Sequence, residues 1–133
     1  AENLQRWNAF QNCTADGYVD DIDEAYSTAA VCVVPVTSGG GSNSKVPEAM
    51  AHNRPVVVSI YAFNGWRNYF AENQDLMVAS DSDTFAEYCN TLLENRELAL
   101  KIAQNGHDSV LKKLSFDSFA NQVAGILHAV FSA

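Results

Sequence analysis

The sequence predicts an α/β fold in which a parallel sheet of about four strands carries helices on both faces. Two uninterrupted apolar runs, at residues 31–36 and 55–60, support this prediction. Both are rich in β-branched residues and lack polar alternation, which is typical of strands covered on both faces. A helical stretch at residues 45–52 separates them, so they are predicted to be neighbouring parallel strands.

The spacing of apolar residues predicts the other elements. Trp7 and Phe10 share the expected buried face of a first helix. Gly106 interrupts the apolar pattern of a later helix. In chain order, these elements are a helix at residues 2–12, a short strand at 16–19, a helix after the acidic run, a strand at 75–79, and helices at 82–95, at 97–113 and from 115 onward.

The acidic run at residues 20–24 has two interpretations. Asp21 and Asp23 follow a predicted strand and could hold a divalent metal ion. Alternatively, the run begins a helix, whose N-terminus favours acidic side chains as caps and as partners of the helix dipole. Helical spacing continues through Ala25 and Tyr26, so the helix is preferred and no metal site is predicted.

Three consecutive glycines, Gly39, Gly40 and Gly41, follow the first apolar run. Glycine permits positive φ and allows the backbone to approach a ligand closely. A short helix begins directly afterwards, and its free N–H groups and positive dipole end attract phosphate. The other interpretation is a tight strand-to-helix turn that binds no ligand.

The helix after the glycines has clear signals at both ends. Ser42, Asn43 or Ser44 can cap its N-terminus. Pro47 falls in the first turn, where a missing N–H costs little. Asn53 is followed by an Arg-Pro pair and is suited to a left-handed stop.

Lys45 and Glu48 are three residues apart and share one helix face beside the loop. A cation and a ribose-binding carboxylate at this place suit a nucleoside diphosphate. Preceded by Pro35 and the glycines, the segment reads Lys-x-x-Glu-Ala-x-Ala and then x-Pro-Val-Val. It resembles the donor-binding segment of glycosyltransferase family 4, whose members have the two-domain GT-B fold. Weaker matches extend the resemblance over roughly residues 15–120.

The resemblance implies a Rossmann-like domain, the C-terminal half of a GT-B enzyme. Residues 1–133 are therefore expected to form a single nucleotide-sugar-binding domain. They are also expected to be a fragment that lacks the N-terminal acceptor-binding domain and the first strand or strands of its own domain. The expected partners are a nucleotide sugar and that missing domain. The expected location is the cytoplasm, or the surface of a membrane reached through the missing part.

The resemblance also implies roles for individual residues. Glu48 would accept hydrogen bonds from the ribose hydroxyls, and it is the residue expected to matter most for catalysis. Lys45 matches the family's lysine and either contacts the donor or braces the loop through a salt bridge. The base would lie near Gly17, Tyr18 and Val19. The donor pyrophosphate would be bound by the backbone amides of Gly39, Gly40, Gly41, Ser42, Asn43 and Ser44.

The implied reaction transfers a hexosyl group from a nucleoside diphosphate sugar to an acceptor with retention of configuration, without a cofactor. Two features depart from the family pattern. Gly40 stands where many relatives have a glutamate that contacts the donor sugar, and Arg6 is the only Lys or Arg before Lys45. Two alternatives therefore remain: half of a nucleotide-sugar epimerase, which would need a His near the donor, and a binding module without catalytic activity.

Composition excludes other classes of protein. The net charge is −8, and the eight Lys and Arg residues form no cluster, which argues against nucleic-acid binding. No stretch approaches the ~18 apolar residues of a membrane span. The three cysteines lie far apart and are expected to be free thiols.

Aromatic and histidine residues have structural and functional interpretations. The aromatics between Tyr61 and Phe70 either stack on a sugar or base or form a satellite of the core, and the core interpretation is preferred. His52, His107 and His128 have no nucleophile beside them in a recognisable motif, so all three are interpreted as structural or solvated.

Overall fold

The computed structural model describes residues 2–39 and 41–131. Over these residues it contains seven helices and three strands. In chain order they are α1 (Glu2–Asn8), α2 (Ile22–Thr28), β1 (Cys32–Val34), α3 (Lys45–Ala51), β2 (Val56–Ser59), α4 (Ile60–Phe63), β3 (Met77–Ala79), α5 (Ser82–Glu94), α6 (Arg96–Leu114) and α7 (Phe116–Phe131).

The three strands form one parallel sheet in the order β1-β2-β3. Val57 in the central strand is opposite Val33 on one side and Met77 on the other. Val56, Val57 and Val58 are completely buried, which explains why this run shows no polar alternation. The predicted α/β fold class is confirmed.

Helices cover both faces of the sheet, as predicted. Successive side chains of a strand point to opposite faces. Val56 and Val58 therefore lie in one core cluster, together with residues of α3 and α4. Val57 lies in the second cluster, with Leu92 of α5 and Ile102 of α6.

The expected strand at residues 16–19 does not form, so the sheet has three strands within the described residues. Gly17 has a φ of +78°, and the side chain of Tyr18 is 90% exposed. A strand is stabilised by pairing with a neighbour, and in the described part of the chain no strand pairs with this segment.

Helix ends are set by local polar groups. α3 ends as predicted, because Asn53 adopts a φ of +55° and the amide of Arg54 reaches back to the carbonyl of Ala49 over 3.2 Å. Asp81 caps α5 by accepting a 2.8 Å hydrogen bond from the amide of Thr84. Asn95 caps α6 in the same way, through the amide of Leu98 at 3.0 Å.

The first and last helices leave apolar side chains exposed. α1 ends at Asn8, short of the predicted residue 12, and its expected buried face is wrong because Trp7 and Phe10 are both more than half exposed. α7 is amphipathic as predicted, yet none of its residues is buried. Among the described residues, no helix is both long enough and apolar enough to cross a membrane.

Gly106 does not interrupt α6 but allows it to pack closely. The helix runs through this position, and Gly106 is buried. A Cβ atom here would lie 2.6 Å from the carbonyl oxygen of Asp75 and 3.2 Å from the Cε of Met50 in α3. Glycine is required because a Cβ atom would push α6 away from the backbone at Asp75 and would crowd Met50 of α3.

Gly106→Ala is expected to lower the free energy of unfolding by about 1–3 kcal/mol, the usual cost of overpacking. Gly125→Ala is the matched control, since a Cβ at that helical position meets nothing within 4 Å. It should raise stability by up to about 1 kcal/mol, because alanine favours helix over glycine. Urea denaturation of both variants measures the difference, and equal stabilities would contradict the close packing.

Candidate functional site

The glycine loop leaves the sheet at the carboxyl end of β1 and leads into α3. Ligands of parallel α/β sheets bind at this edge. Gly39 has a φ of +110°, which side chains rarely adopt, and a Cβ on Gly41 would meet nothing within 4 Å. Gly40 lies outside the described residues.

The N-terminus of α3 has no side-chain cap. Ser44 occupies the cap position but makes no capping hydrogen bond, and the side-chain amide of Asn43 donates instead to the carbonyl of Gly41 over 3.2 Å. The first helical bond runs from the amide of Val46 to Asn43. Within the described residues, the amides of Ser44 and Lys45 have no backbone acceptor, so they are available to a ligand.

The aromatic segment, residues 61–70, contacts this loop and the core. The indole N–H of Trp66 donates to the carbonyl of Asn43 over 3.3 Å. Phe63 and Phe70 are buried in the core cluster, and Trp66 packs against it. These contacts match the preferred interpretation of the aromatics as part of the core. Tyr61 is 54% exposed and, with Thr37 and Ser80, lines a cleft of about 290 Å³ where the three strands end.

Glu48 is half-buried on α3, one turn after Lys45. It interacts with the hydroxyl of Tyr26 on α2. Burial contributes most to raising the pKa of this hydroxyl, and the negative charge of Glu48 raises it further. Tyr26 is therefore a neutral hydroxyl that faces the carboxylate.

His52 caps the C-terminal end of α3 and joins it to α2. Its Nδ1 lies 2.7 Å from the carbonyl oxygen of Glu48, and its Nε2 lies 2.7 Å from a carboxylate oxygen of Asp23. The imidazole also stacks on the ring of Tyr26, with centroids 4.4 Å apart. The hydrogen bond to the Glu48 carbonyl contributes most to raising the pKa of His52, with Asp23 adding to it against the opposing effect of burial.

The two aspartates of the acidic run have separate structural roles. Asp21 caps α2 by accepting a 3.0 Å hydrogen bond from the amide of Glu24, so the preferred helix interpretation is confirmed. Asp23 binds His52 across 29 positions of sequence. In the described part of the chain, no group of three or more metal-ligating side chains occurs.

Two open clefts are lined by the glycine loop and by the segment around Tyr18, respectively. One, of about 370 Å³, is lined by the end of β1 and by the loop from Gly41 to Lys45. The other, of about 480 Å³, is lined by Gly17, Tyr18, Val19 and Tyr26 among others. Glu48 is not among the lining residues of either cleft, but it follows Lys45 of the first by one turn and interacts with Tyr26 of the second.

Lys45 is exposed and has no ion-pair partner within the described residues, so the bracing salt bridge that sequence analysis considered does not form. Tyr26, His52 and Asp23 were not among the predicted site residues. The only available signal was the spacing of Glu48 and His52, four apart and so on one helix face.

A parallel sheet with a glycine loop and a helix N-terminus at its carboxyl edge defines the class of Rossmann-like ligand-binding domains. Within that class, residues 1–95 match the family described as Glycosyl transferases group 1. The chain belongs to this family.

A solved structure gives the same fold. The chain is similar to the 1.35 Å crystal structure of the C-terminal domain of a glycosyl transferase group 1 family protein (LpcC) from Francisella tularensis. The TM-score is 0.67 and the sequence identity is 21%, over 86% of this chain. The chain spans 60% of that crystallised chain. No curated protein matches it.

Asp23→Asn is expected to destabilise the protein in a pH-dependent way. Because the pKa of His52 is raised in the folded state, its stabilising effect is complete below the ordinary histidine pKa and is lost as pH rises through the folded value. The loss should reach about 0.2–1 kcal/mol at acidic pH, since Asp23 is largely exposed, and should shrink at alkaline pH.

Urea denaturation at about pH 5.5 and about pH 9 measures this effect on either side of the histidine titration. Asp20→Asn is the control, because it removes the same charge from the same acidic run without touching His52. Equal losses for the two variants, or a loss that grows with pH, would contradict the assignment.

Proposed function

We propose that this chain is the donor-binding part of a retaining glycosyltransferase, which moves a hexosyl group from a nucleoside diphosphate sugar to an acceptor. Membership of the glycosyl transferases group 1 family supports the class of reaction. The observation that carries the proposal is that Glu48 follows Lys45 of the loop cleft by one turn and interacts with Tyr26, which lines the Tyr18 cleft. This order matches the order of diphosphate, ribose and base in a nucleotide.

In this proposal the diphosphate lies at the loop from Gly39 to Ser44, including Gly40. Within the described residues, the amides of Ser44 and Lys45 have no backbone acceptor, and they can donate to phosphate oxygens. The charge of Lys45, for which the described part of the chain offers no ion-pair partner, adds attraction, and glycine at 39 and 41 leaves room for the close approach of an anion. The overall charge of −8 makes this local positive group important.

The ribose lies at Glu48 and the base lies in the cleft that Tyr18 and Val19 line. A carboxylate accepts two hydrogen bonds from neighbouring hydroxyls of a ribose. The base would contact the backbone of residues 17–19, while the half-buried ring of Tyr26 forms one wall of the same cleft. These contacts hold the nucleotide but leave its sugar free to react.

The reaction breaks the bond between the sugar's anomeric carbon and the diphosphate oxygen, and it forms a bond to an acceptor oxygen. The negative charge that develops on the leaving diphosphate is stabilised by the loop amides and Lys45, and such preorganised donors act mainly on the transition state. Acceptor binding is assigned to a separate domain. The chain alone is therefore expected to be inactive in transfer, and no cofactor besides the donor is needed.

Two alternative functions would use the same fold. An epimerase needs a histidine free to act at the donor, but both ring nitrogens of His52 face acceptors within the protein. A binding module without catalytic activity would hold the nucleotide and transfer nothing. Donor binding without turnover in the complete protein would favour that module.

Glu48→Ala is expected to weaken donor binding by about 10–100-fold, because hydrogen bonds to a charged group contribute about 1.5–3 kcal/mol. Calorimetric titration with UDP-glucose and GDP-mannose measures the change, since the nucleotide is not specified. Glu94→Ala removes an equal charge from the exposed end of α5 and should bind like the original protein. Unchanged affinity in Glu48→Ala would remove this residue from the site.

A further inference from the structure

Tyr26 on α2 contacts Glu48 on α3 and also His52, the residue that follows α3. Its ring is nearly parallel to the imidazole of His52, with an interplanar angle of 21° and a centroid separation of 4.4 Å. Its hydroxyl faces the carboxylate of Glu48. One side chain of α2 therefore contacts both the proposed ribose ligand and the residue that ends α3.

His52 makes two short contacts that a neutral imidazole cannot satisfy at once. Nδ1 faces the carbonyl oxygen of Glu48 and Nε2 faces a carboxylate oxygen of Asp23, each at 2.7 Å. Both partners are acceptors, and a neutral imidazole carries only one N–H. The geometry therefore suits the protonated ring, which donates to both.

The groups that face His52 come from two helices. α2 contributes the carboxylate of Asp23 and the ring of Tyr26, and α3 contributes the carbonyl and carboxylate of Glu48. Both carboxylates raise the pKa of His52, after the larger effect of the hydrogen bond to the Glu48 carbonyl. No cation within the described residues opposes them.

We propose that Tyr26 and His52 are positioning residues that hold Glu48 for the donor, and that donor affinity falls when His52 loses its proton. The inference rests on the ribose-binding role proposed above for Glu48. Protonated His52 ties α2 to the end of α3 and keeps the Tyr26 ring in its stack. The Tyr26 hydroxyl then keeps the Glu48 carboxylate in one orientation, so less conformational entropy is lost on binding.

Loss of the proton removes one of the two hydrogen bonds of His52. The contact between α2 and the end of α3 then weakens. The ring of Tyr26 no longer stacks on an imidazole that is held in place. Glu48 has more rotamers available, and the ribose must select one of them. By linkage, a donor that binds the ordered form also favours the protonated state of His52.

The test measures the affinity of the protein for UDP-glucose and GDP-mannose from about pH 6 to about pH 9, the range of histidine titration. Both donors are diphosphate diesters, and the charge of their diphosphate stays constant there. The original protein should bind about fivefold more weakly at the upper limit, the size of one net hydrogen bond. His52→Gln should bind weakly at both limits, with no pH dependence.

Two further variants separate positioning from folding. Tyr26→Phe keeps the stack but removes the hydroxyl, and at every pH it should bind the donor about as weakly as the original protein does at the upper limit, about fivefold below the affinity at the lower limit. Asp23→Asn removes the negative charge that favours protonated His52, and it should reduce the pH dependence without abolishing binding. His107→Gln is the control, since His107 lies on α6 and is not among the groups that act on His52, and it should keep the original pH profile.

Each outcome bears on the inference. If Glu48→Ala loses the donor while His52→Gln and Tyr26→Phe retain the original affinity and pH profile, the positioning role is overturned and the proposed function stands. If the unaltered protein binds neither donor, the proposed function and this inference fall together. If His52→Gln unfolds, Tyr26→Phe and Asp23→Asn decide the result.

Discussion

The complete burial of β2 is the constraint on which the rest of the structure depends. Three consecutive valines, each stabilising the fold by about 1.5–3 kcal/mol when buried, need apolar partners on both faces of the sheet. Parallel neighbours on both edges satisfy the backbone, and each connection must then cross the sheet. The crossover from β1 to β2 contains the glycine loop and α3, so the carboxyl edge receives both.

Some residues of α3 pack in the core, and others face the proposed site. Val46, Ala49 and Met50 are buried and pack α3 onto the sheet and α6, where Gly106 allows close contact. Lys45 and Glu48 lie at helical spacing on another side of the same helix, and His52 follows the last residue of α3 on that side. The first of these residues adjoins the loop cleft, the second the Tyr26 hydroxyl and the third α2. A helix of seven residues thus connects the core with every part of the proposed site.

Much of the fold could be predicted because its signals are local. The unbroken valine runs, the glycines after β1 and the left-handed stop at Asn53 each depend on a few adjacent residues. The strand expected at residues 16–19 failed for the opposite reason, since a strand needs a pairing neighbour that sequence alone cannot provide. The prediction of a buried face on the first helix was wrong for a similar reason, because a helical pattern does not show which element, if any, covers the apolar side of the helix.

The sequence by itself determined the class of the fold and the family, because periodicity and motif spacing are properties of neighbouring residues. For the same reason it indicated the segment from Gly39 to Glu48 as the candidate binding segment. Only the tertiary structure decided that Trp66 supports the loop and that Asp23, Tyr26 and His52 gather around Glu48. These contacts join residues more than twenty positions apart. Their geometry depends on how α2 and the aromatic segment pack against α3, and no local pattern specifies that packing.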